Sequence, residues 1–294
     1  MRLVFGKRRK AARVWSIGIY VGHSPIDLAP PETLSNPSLT GEHVSDLAAE
    51  FVADPFMVRS SSQWYMFFEV MNRTAGKGEI GLAISPDALS WIYQRIVLTE
   101  PFHLSYPYVF EWNGDYYMIP ETHEVGSIRL YKAEEFPDQW SFVGTLMAGL
   151  PFTDSSIVRY ASKWWVFTET RPGKNDTLRL YYADDLMGPW TEHPASPIIK
   201  GNRRSARPAG RLIVADGRII RYAQDCHPRY GIGVNAFEIS ILTTTAYREH
   251  AIGNCPVLAG SGKGWNRNGV HHVDPHLVDN GQWVACVDGW FKPQ

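Results

Sequence analysis

Acid or amide side chains recur at one fixed offset along this 294-residue chain, and such groups can transfer protons or hold a polar ligand. Each follows the first residue of a β-like segment by six positions, as Glu69 follows Gln63. The set is Glu69, Glu121, Glu169, Gln224 and Asp288. Because the same kind of group returns in every repeat, we expect these side chains to converge on the axis of a radial fold.

A second polar set lies shortly before these segments. Asp54 and Asp154 open the first strands of the first and third repeats, and Tyr106 and Ala209 lie at the matching places in the second and fourth. In the fifth repeat the matching place falls on Val273, with Asp274 one residue away. The start of one strand and the end of its antiparallel neighbour lie at the same end of a hairpin. We therefore predict that both sets crowd one mouth of a central channel, where carboxylates shift each other's pKa as acid/base pairs require.

Hairpins must position these residues, and three turns carry a strong hairpin signal: Asn113-Gly114, Asp216-Gly217 and Asn280-Gly281. Each repeat of about 50 residues has the pattern of four strands, which is typical of a propeller blade. We predict an all-β, five-bladed β-propeller that forms a single domain over residues 1–294, with blades starting near 50, 102, 150, 203 and 270. Residues 14–30 are expected to complete the fifth blade and so close the ring.

Composition narrows the function classes. A net charge of -1 argues against a nucleic-acid surface, and no apolar run is long enough for a transmembrane segment. Three cysteines without paired spacing and no secretory leader favour a cytoplasmic location. The basic run Lys7–Lys10 is interpreted as a solvated tail. With 11 Trp residues suited to sugar stacking, we expect a carbohydrate or glycoconjugate as the partner.

The aspartates that open the first and third inner strands resemble those of the five-bladed glycoside hydrolases of families 43 and 32. In those enzymes the first-blade Asp is the base or nucleophile, the third-blade Asp tunes the pKa, and a fourth-blade Glu is the acid. The resemblance gives Asp54 and Asp154 the first two roles. The stretch Arg203–Arg211 contains no carboxylate where the acid should lie, so Glu121 and Glu169 are the predicted acids.

A second resemblance covers nearly the whole chain. The sequence is similar to the N-terminal domain of plant glucosamine inositolphosphorylceramide transferases and to related bacterial stand-alone proteins. The stretches that carry it are Trp15–Tyr20, Asp54–Met57, Phe102–Phe110, Tyr117–Thr122, Ala206–Arg211 and Ala223–Cys226. In the plant proteins this domain resembles a glycosidase propeller and a separate C-terminal domain is the glycosyltransferase, so we do not expect transferase activity from this chain.

The combined prediction is a glycoside-hydrolase-like enzyme that cleaves a glycosidic bond with a carboxylate pair. One alternative is a non-catalytic glycan-binding propeller, which the missing fourth-blade Glu favours. Another is a phosphorylase, since arginine forks bind phosphate at two points. Its candidate cluster is Arg203, Arg204, Arg207 and Arg211.

Further residues are predicted to bind the substrate rather than to transfer protons. They are Glu69, Tyr106, Arg207, His272, Asp274 and Asp288. We predict no cofactor, and no ligand spacing is diagnostic of zinc. The resemblance to family 43 would allow a structural calcium ion, held through water, near His272 and His276.

Overall fold

The computed structural model describes residues 13–293; the basic run Lys7–Lys10 lies outside the described residues. The chain begins with β1 (Val14–Ser24) and β2 (Asp27–Ala29). The first blade then contains β3 (Ala49–Ser60), β4 (Gln63–Asn72), β5 (Lys77–Ser85) and β6 (Ile92–Leu98). The second contains β7 (Ser105–Trp112), β8 (Asp115–Glu121), β9 (Ser127–Glu135) and β10 (Gln139–Ala148).

The third blade contains β11 (Thr153–Tyr160), β12 (Lys163–Glu169), β13 (Thr177–Ala183), β14 (Thr191–Glu192) and β15 (Ile199–Lys200). The fourth contains β16 (Ile213–Ala215), β17 (Arg218–Asp225), β18 (Gly233–Leu242), β19 (Tyr247–Ile252) and β20 (Leu258–Ala259). The chain ends with β21 (Val273–Leu277) and β22 (Trp283–Phe291). Short 3₁₀ helices lie at Gly41–His43, His123–Val125 and Gly264–Asn266.

Strands from both ends of the chain share the remaining sheet, whose order is β2-β1-β22-β21. Strand β1 pairs antiparallel with β22 from Val14 opposite Phe291 to Gly22 opposite Trp283. Over the described residues the chain therefore forms five sheets, and the predicted all-β, five-bladed propeller is confirmed. No helix in residues 13–293 is long and apolar enough to cross a membrane.

The inner strands of the first three blades share a β-bulge. The pairing register shifts between Ala53 and Phe56, and at the equivalent places in β7 and β11. The bulge residues have positive φ angles, 53° at Asp54 and 47° at both Tyr106 and Asp154. A left-handed conformation costs a non-glycine residue about 1–2 kcal/mol. Each bulge is therefore a strained point that its surroundings must hold.

Apolar side chains from adjacent blades fill the space between them. Phe56, Tyr108 and Ile157 lie on three successive inner strands and belong to one buried cluster. Because the inner strands of adjacent blades pack against each other, a shift of one strand would also displace side chains of the neighbouring blades. The core thus fixes the strand ends that carry the polar residues.

Gly210 joins three blades where no side chain would fit. Its N–H donates to the Tyr106 hydroxyl at 2.6 Å, and its carbonyl accepts the Ser156 hydroxyl at 2.9 Å. A Cβ atom at this position would lie 1.8 Å from the carbonyl oxygen of Val273, and φ is 133°. This position requires glycine for both reasons.

We predict that Gly210→Ala lowers the thermal midpoint far more than Gly217→Ala, because only the first substitution combines backbone strain with a clash. Gly217 has a φ of 73° and nothing within 4 Å of the added Cβ, so its replacement should cost about 1 kcal/mol. Overpacking at Gly210 should cost roughly 1–3 kcal/mol more. Thermal denaturation followed by circular dichroism measures both, and equal losses would contradict the structure.

Candidate functional site

Strand register places the two predicted polar sets at the same end of their hairpins in the first three blades. The pairs are Ala53 with Glu69, Ser105 with Glu121 and Thr153 with Glu169. Each bulge residue directly follows the first member of its pair, and all of these acids are buried. The structure therefore brings the bulge residues and the acids together around the channel.

Two carboxylates hold the bulge aspartates of the adjacent blade. Asp54 donates its backbone N–H to Asp288 Oδ2 at 3.1 Å, and Asp154 donates its N–H to Glu121 Oε2 at 3.0 Å. A hydrogen bond to a charged acceptor contributes about 1.5–3 kcal/mol. These bonds therefore offset the backbone strain, and they give Asp288 and Glu121 a structural role.

Asp54 has the least satisfied carboxylate of the site. Its Oδ1 is buried and has no hydrogen-bond partner among the described residues. The nearest ring nitrogens are Nε2 of His271 at 3.7 Å and Nδ1 of His272 at 4.0 Å. Burial raises the pKa of Asp54 to about 8, against the opposing charge of His271. Asp54 thus releases its proton in the mildly alkaline range.

Asp154 is instead paired with a cation. Its Oδ2 accepts hydrogen bonds from Arg207 Nε at 2.5 Å and from Gln224 Nε2 at 2.6 Å. Burial raises the pKa of Asp154 to about 6, and Arg207 opposes a larger rise. Arg207 also stacks 5.1 Å from the ring centre of Tyr230. Asp154 is therefore mostly ionised at neutral pH.

Glu121 does not fit its predicted role as the acid. Oε1 lies 2.6 Å from His123 Nδ1, and Oε2 accepts the N–H of Asp154. Burial raises the pKa of Glu121, but the hydrogen bond with His123 and the charge of Arg207 outweigh it, so that the pKa lies below its ordinary value. An ionised carboxylate has no proton to donate.

Glu169 does not fit that role either, although burial raises its pKa. Its two oxygens accept hydrogen bonds from the Thr153 hydroxyl and the Arg171 N–H, both at 2.7 Å. Both of these donors belong to the same blade and the loop that follows β12. The side chain is thus occupied in fixing its own hairpin.

Glu69, predicted to bind substrate, is the better proton donor. Burial and the negative charge of Asp54 raise its pKa well above the ordinary range. The neighbouring His103 Nε2 lies 3.5 Å away, and burial lowers the pKa of that imidazole, so it brings little positive charge. Glu69 therefore holds its proton to a higher pH than an ordinary glutamate.

Tyr106 does not fit the substrate-binding role predicted for it. The residue is fully buried, and its hydroxyl contacts Ser156 Oγ at 2.8 Å and accepts the N–H of Gly210. A substrate would have to break these contacts in order to reach it. Tyr106 connects blades instead.

The predicted equivalence of Asp274 with Asp54 is wrong by two residues. Asp274 pairs with Cys286 as Phe56 pairs with Phe67, so His272 occupies the position of Asp54. One residue of this displacement arises because the fifth hairpin has a longer turn: Val278 bonds to Gln282, four residues on, whereas Ser60 pairs with Gln63. The other arises because Asp274 lies one residue after Val273, which precedes Gln282 by nine positions as Asp54 precedes Gln63.

Asp274 is consequently occupied by structural partners. Its Oδ1 accepts from Arg211 Nε at 2.8 Å, and Oδ2 accepts the N–H of Met57 at 2.6 Å. His276 Nε2 lies 2.9 Å from the same Oδ2. This network leaves Asp274 unsuited to the substrate-binding role predicted for it.

His272 and His276 have different surroundings, so the predicted calcium position near both is not formed as a pair. His276 contacts Asp274 and lies edge-on to Trp64. His272 is fully buried against Phe56, and neither ring nitrogen has a hydrogen-bond partner among the described residues. Burial lowers the pKa of His272 to about 4, so the ring is neutral.

One cluster of three histidine and carboxylate side chains in residues 13–293 has ligand atoms that all lie within 4.8 Å of one another. It consists of Asp54, His271 and Asp288. Hydrogen bonds account for this closeness, because Asp288 accepts the N–H of Asp54, the N–H of His271 and the His271 ring. No role was predicted for His271 from the sequence. With the correct strand register, His271 and His272 would have been predicted to lie beside Asp288.

Residues 8–290 match the family described as glucosamine inositolphosphorylceramide transferase 1, N-terminal. The chain belongs to this family. It is 36% identical over 296 residues to glucosamine inositolphosphorylceramide transferase 1 of Oryza sativa subsp. japonica, covering 94% of this chain and 40% of the rice protein. This member of the family thus spans about 40% of the length of the curated relative it matches.

Solved glycoside hydrolase structures share the family's propeller fold. A thermostable family-43 glycoside hydrolase matches with a TM-score of 0.62 at 14% identity, over 88% of this chain and 92% of that chain. The catalytic domain of the GH62 α-L-arabinofuranosidase of Coprinopsis cinerea matches with a TM-score of 0.61 at 12% identity, over 96% and 97%. At these identities the likeness shows the fold alone.

We predict that Asp54→Asn stabilises the protein at pH 8 but not at pH 4. The folded state holds the Asp54 proton up to about pH 8, whereas the ordinary pKa is 3.8. Folding therefore takes up a proton between these values, and wild-type stability falls as the pH rises through this window. At about 1.4 kcal/mol per pKa unit, the gain at pH 8 could reach several kcal/mol.

Thermal midpoints measured from pH 4 to pH 9 test this prediction. Asp279→Asn is the control, because Asp279 is exposed and pairs with Arg59 at the surface. A loss of stability in Asp54→Asn that is the same at every pH would contradict the assignment of a buried, proton-holding carboxyl.

Proposed function

We propose that this propeller hydrolyses a glycosidic bond at the mouth of its channel, with Asp54 as the general base. The proposal rests on Asp54 Oδ1, which is buried and has no hydrogen-bond partner among the described residues. In the part of the chain that the structure describes, it is the only buried carboxylate oxygen without a hydrogen-bond partner. A general base needs an oxygen that is free to accept the proton of a water molecule.

The acid role falls to Glu69, because burial raises its pKa well above that of an ordinary glutamate. In the reaction, Asp54 removes a proton from water, and the water oxygen bonds to the anomeric carbon. The bond from that carbon to the leaving oxygen breaks as the oxygen takes the proton of Glu69. The pKa values of both carboxyl groups are raised, and the division of labour requires that Asp54 release its proton before Glu69 does.

Asp154 and Arg207 would then position the sugar. Their ion pair keeps Asp154 ionised near Asp54, and the charge of Asp154 helps to hold the Asp54 pKa high. A base with a pKa near the working pH takes protons more readily than an ordinary aspartate. The pair therefore supports both substrate contact and the strength of the base.

The substrate we propose is a glycan or glycoconjugate. The solved structures with the same fold are glycoside hydrolases, and the curated relative is named glucosamine inositolphosphorylceramide transferase 1. The site itself adds ionised and protonated carboxyl groups, which suit sugar hydroxyls as hydrogen-bond partners.

Non-catalytic glycan binding is the second candidate, because the acid expected on the fourth blade is replaced by Arg207 in an ion pair with Asp154. Phosphate-dependent cleavage has less support, because three arginines of the predicted cluster already contact carboxylates. These pairs are Arg204 with Asp225, Arg207 with Asp154 and Arg211 with Asp274.

We predict that the protein turns over a member of a panel of aryl glycosides, and that Asp54→Asn and Glu69→Gln each lower kcat/KM about 10²–10⁴-fold. The rate should rise with pH toward about pH 8 as Asp54 ionises. Asp279→Asn and Glu238→Gln, which remove exposed surface ion pairs, are the matched controls and should retain wild-type turnover.

The same panel, run with and without inorganic phosphate beside a glycan array, separates the candidate functions. Glycan binding without turnover of any glycoside would contradict hydrolysis and leave a sugar-binding propeller. Turnover that requires phosphate would make the protein a phosphorylase. Full activity in Asp54→Asn would remove Asp54 from the mechanism.

A further inference from the structure

His271 has a ring that cannot turn. Its Nδ1 lies 2.8 Å from Asp288 Oδ1, and the ring stacks on Trp15 with centroids 4.0 Å apart and planes 25° apart. Tyr230 packs edge-on from the other side at 5.1 Å. The residue is 3% exposed. Hydrogen bonding and aromatic packing together fix which nitrogen faces which neighbour.

The partner of Nδ1 determines the protonation pattern of the ring. Asp288 accepts several N–H groups and must be ionised to do so, and its pKa lies below the ordinary value because His271 and the hydrogen bonds outweigh the effect of burial. Nδ1 of His271 therefore carries a proton. The second proton of an imidazolium would sit on Nε2, which faces Asp54 Oδ1 at 3.7 Å.

The other neighbours of Asp54 do not supply an equivalent charge. The groups whose charges act most strongly on Asp54 are His271, Asp154, Asp288 and Arg207, and Glu69 is a further carboxyl coupled to it. Arg207 is engaged by Asp154 at 2.5 Å and by Glu121 at 3.5 Å. The ring of His272, at 4.0 Å, is neutral. His271, whose pKa is raised above its ordinary value, is thus the nearest group to Asp54 in the described chain that can carry a positive charge.

We propose that His271 is a positioning residue for Asp54: clamped by Asp288, it presents a positive charge that lets the Asp54 carboxyl release its proton. The catalytic importance of His271 rests on the proposed function. The charge interaction between His271 and Asp54 does not, because it involves only these two side chains and Asp288. Asp288 binds both the imidazole and the backbone N–H of Asp54. One carboxylate therefore sets the distance between the base and its counter-charge.

Burial and charge oppose each other at His271. Burial lowers the pKa of its imidazole, but the charge of Asp288 and their hydrogen bond outweigh this and raise it above the ordinary value. Asp54 and Asp154 add to the rise. Removal of the imidazole should therefore leave Asp54 among carboxylates without its nearest cation.

The test is a ¹³C NMR titration of the aspartate carboxyl groups, with the Asp54 signal assigned by its loss in Asp54→Asn. In His271→Gln the titration midpoint of Asp54 should rise by about 1–3 pH units, the effect of removing an opposite charge at this distance. His276→Gln is the control, since that histidine contacts Asp274 rather than Asp54.

A reciprocal titration keeps the proposal testable if His271→Gln does not fold. Coupled groups shift each other, so ¹⁵N signals of the His271 ring should show a lower midpoint in Asp54→Asn than in the wild type. An unchanged Asp54 midpoint in folded His271→Gln would overturn the proposal. An unchanged His271 midpoint in Asp54→Asn would overturn it as well.

Glycoside hydrolysis and the charge interaction between His271 and Asp54 can be contradicted independently. If no glycoside is turned over but both NMR shifts occur, the charge coupling holds and hydrolysis does not. If turnover is found, the ascending limb of the pH profile of kcat/KM should move to higher pH in His271→Gln, in step with the Asp54 midpoint. A merely structural role of His271 would lower activity without moving that limb.

Discussion

The hydrogen bond from a strained backbone amide to a carboxylate of the adjacent blade is the contact on which the site depends. Asp54 and Asp154 have positive φ angles, and each donates its N–H to such a carboxylate, Asp288 or Glu121. Strained residues persist where their surroundings over-determine them. The hydrogen bond between Asp54 and Asp288 also joins the first blade to the last. The same contact therefore helps to close the ring and to position the proposed base.

Two sets of charged residues differ in how completely their polar atoms are hydrogen-bonded. Asp274 and Arg211 form a complete network, and the guanidinium lies 4.9 Å from the ring centre of Tyr108. Asp54 Oδ1 and the ring of His272, in contrast, lack partners among the described residues. A fully satisfied buried network stiffens a structure, whereas an unpaired buried polar group costs free energy. The Asp274 network therefore stabilises the ring, and the unpaired oxygen of Asp54 is the feature on which the proposed function rests.

The sequence was sufficient to predict the blades and the mouth, because strand alternation and hairpin turns are local properties that recur with each repeat. It misplaced Asp274, since one extra turn residue shifts a strand register without a visible mark in the residue types. It could not distinguish Glu69 from Glu121 as the acid. That difference comes from Arg207, which reaches Glu121 from a distant segment, and from His123, which follows Glu121 by two residues. The role of His271 likewise depends on contacts with residues distant in the chain.

A crystal structure of Asp54→Asn soaked with a mixture of oligosaccharides would test the central claim most directly. The account predicts a sugar ring on the channel axis, in contact with Asp154 and Glu69, with its glycosidic oxygen within hydrogen-bonding distance of the Glu69 carboxyl. A sugar bound instead in the cavity of about 470 Å³ that Trp265 and Phe291 help to line, with none on the axis, would contradict it. In that case the converging carboxylates would serve the architecture of the ring and not a reaction.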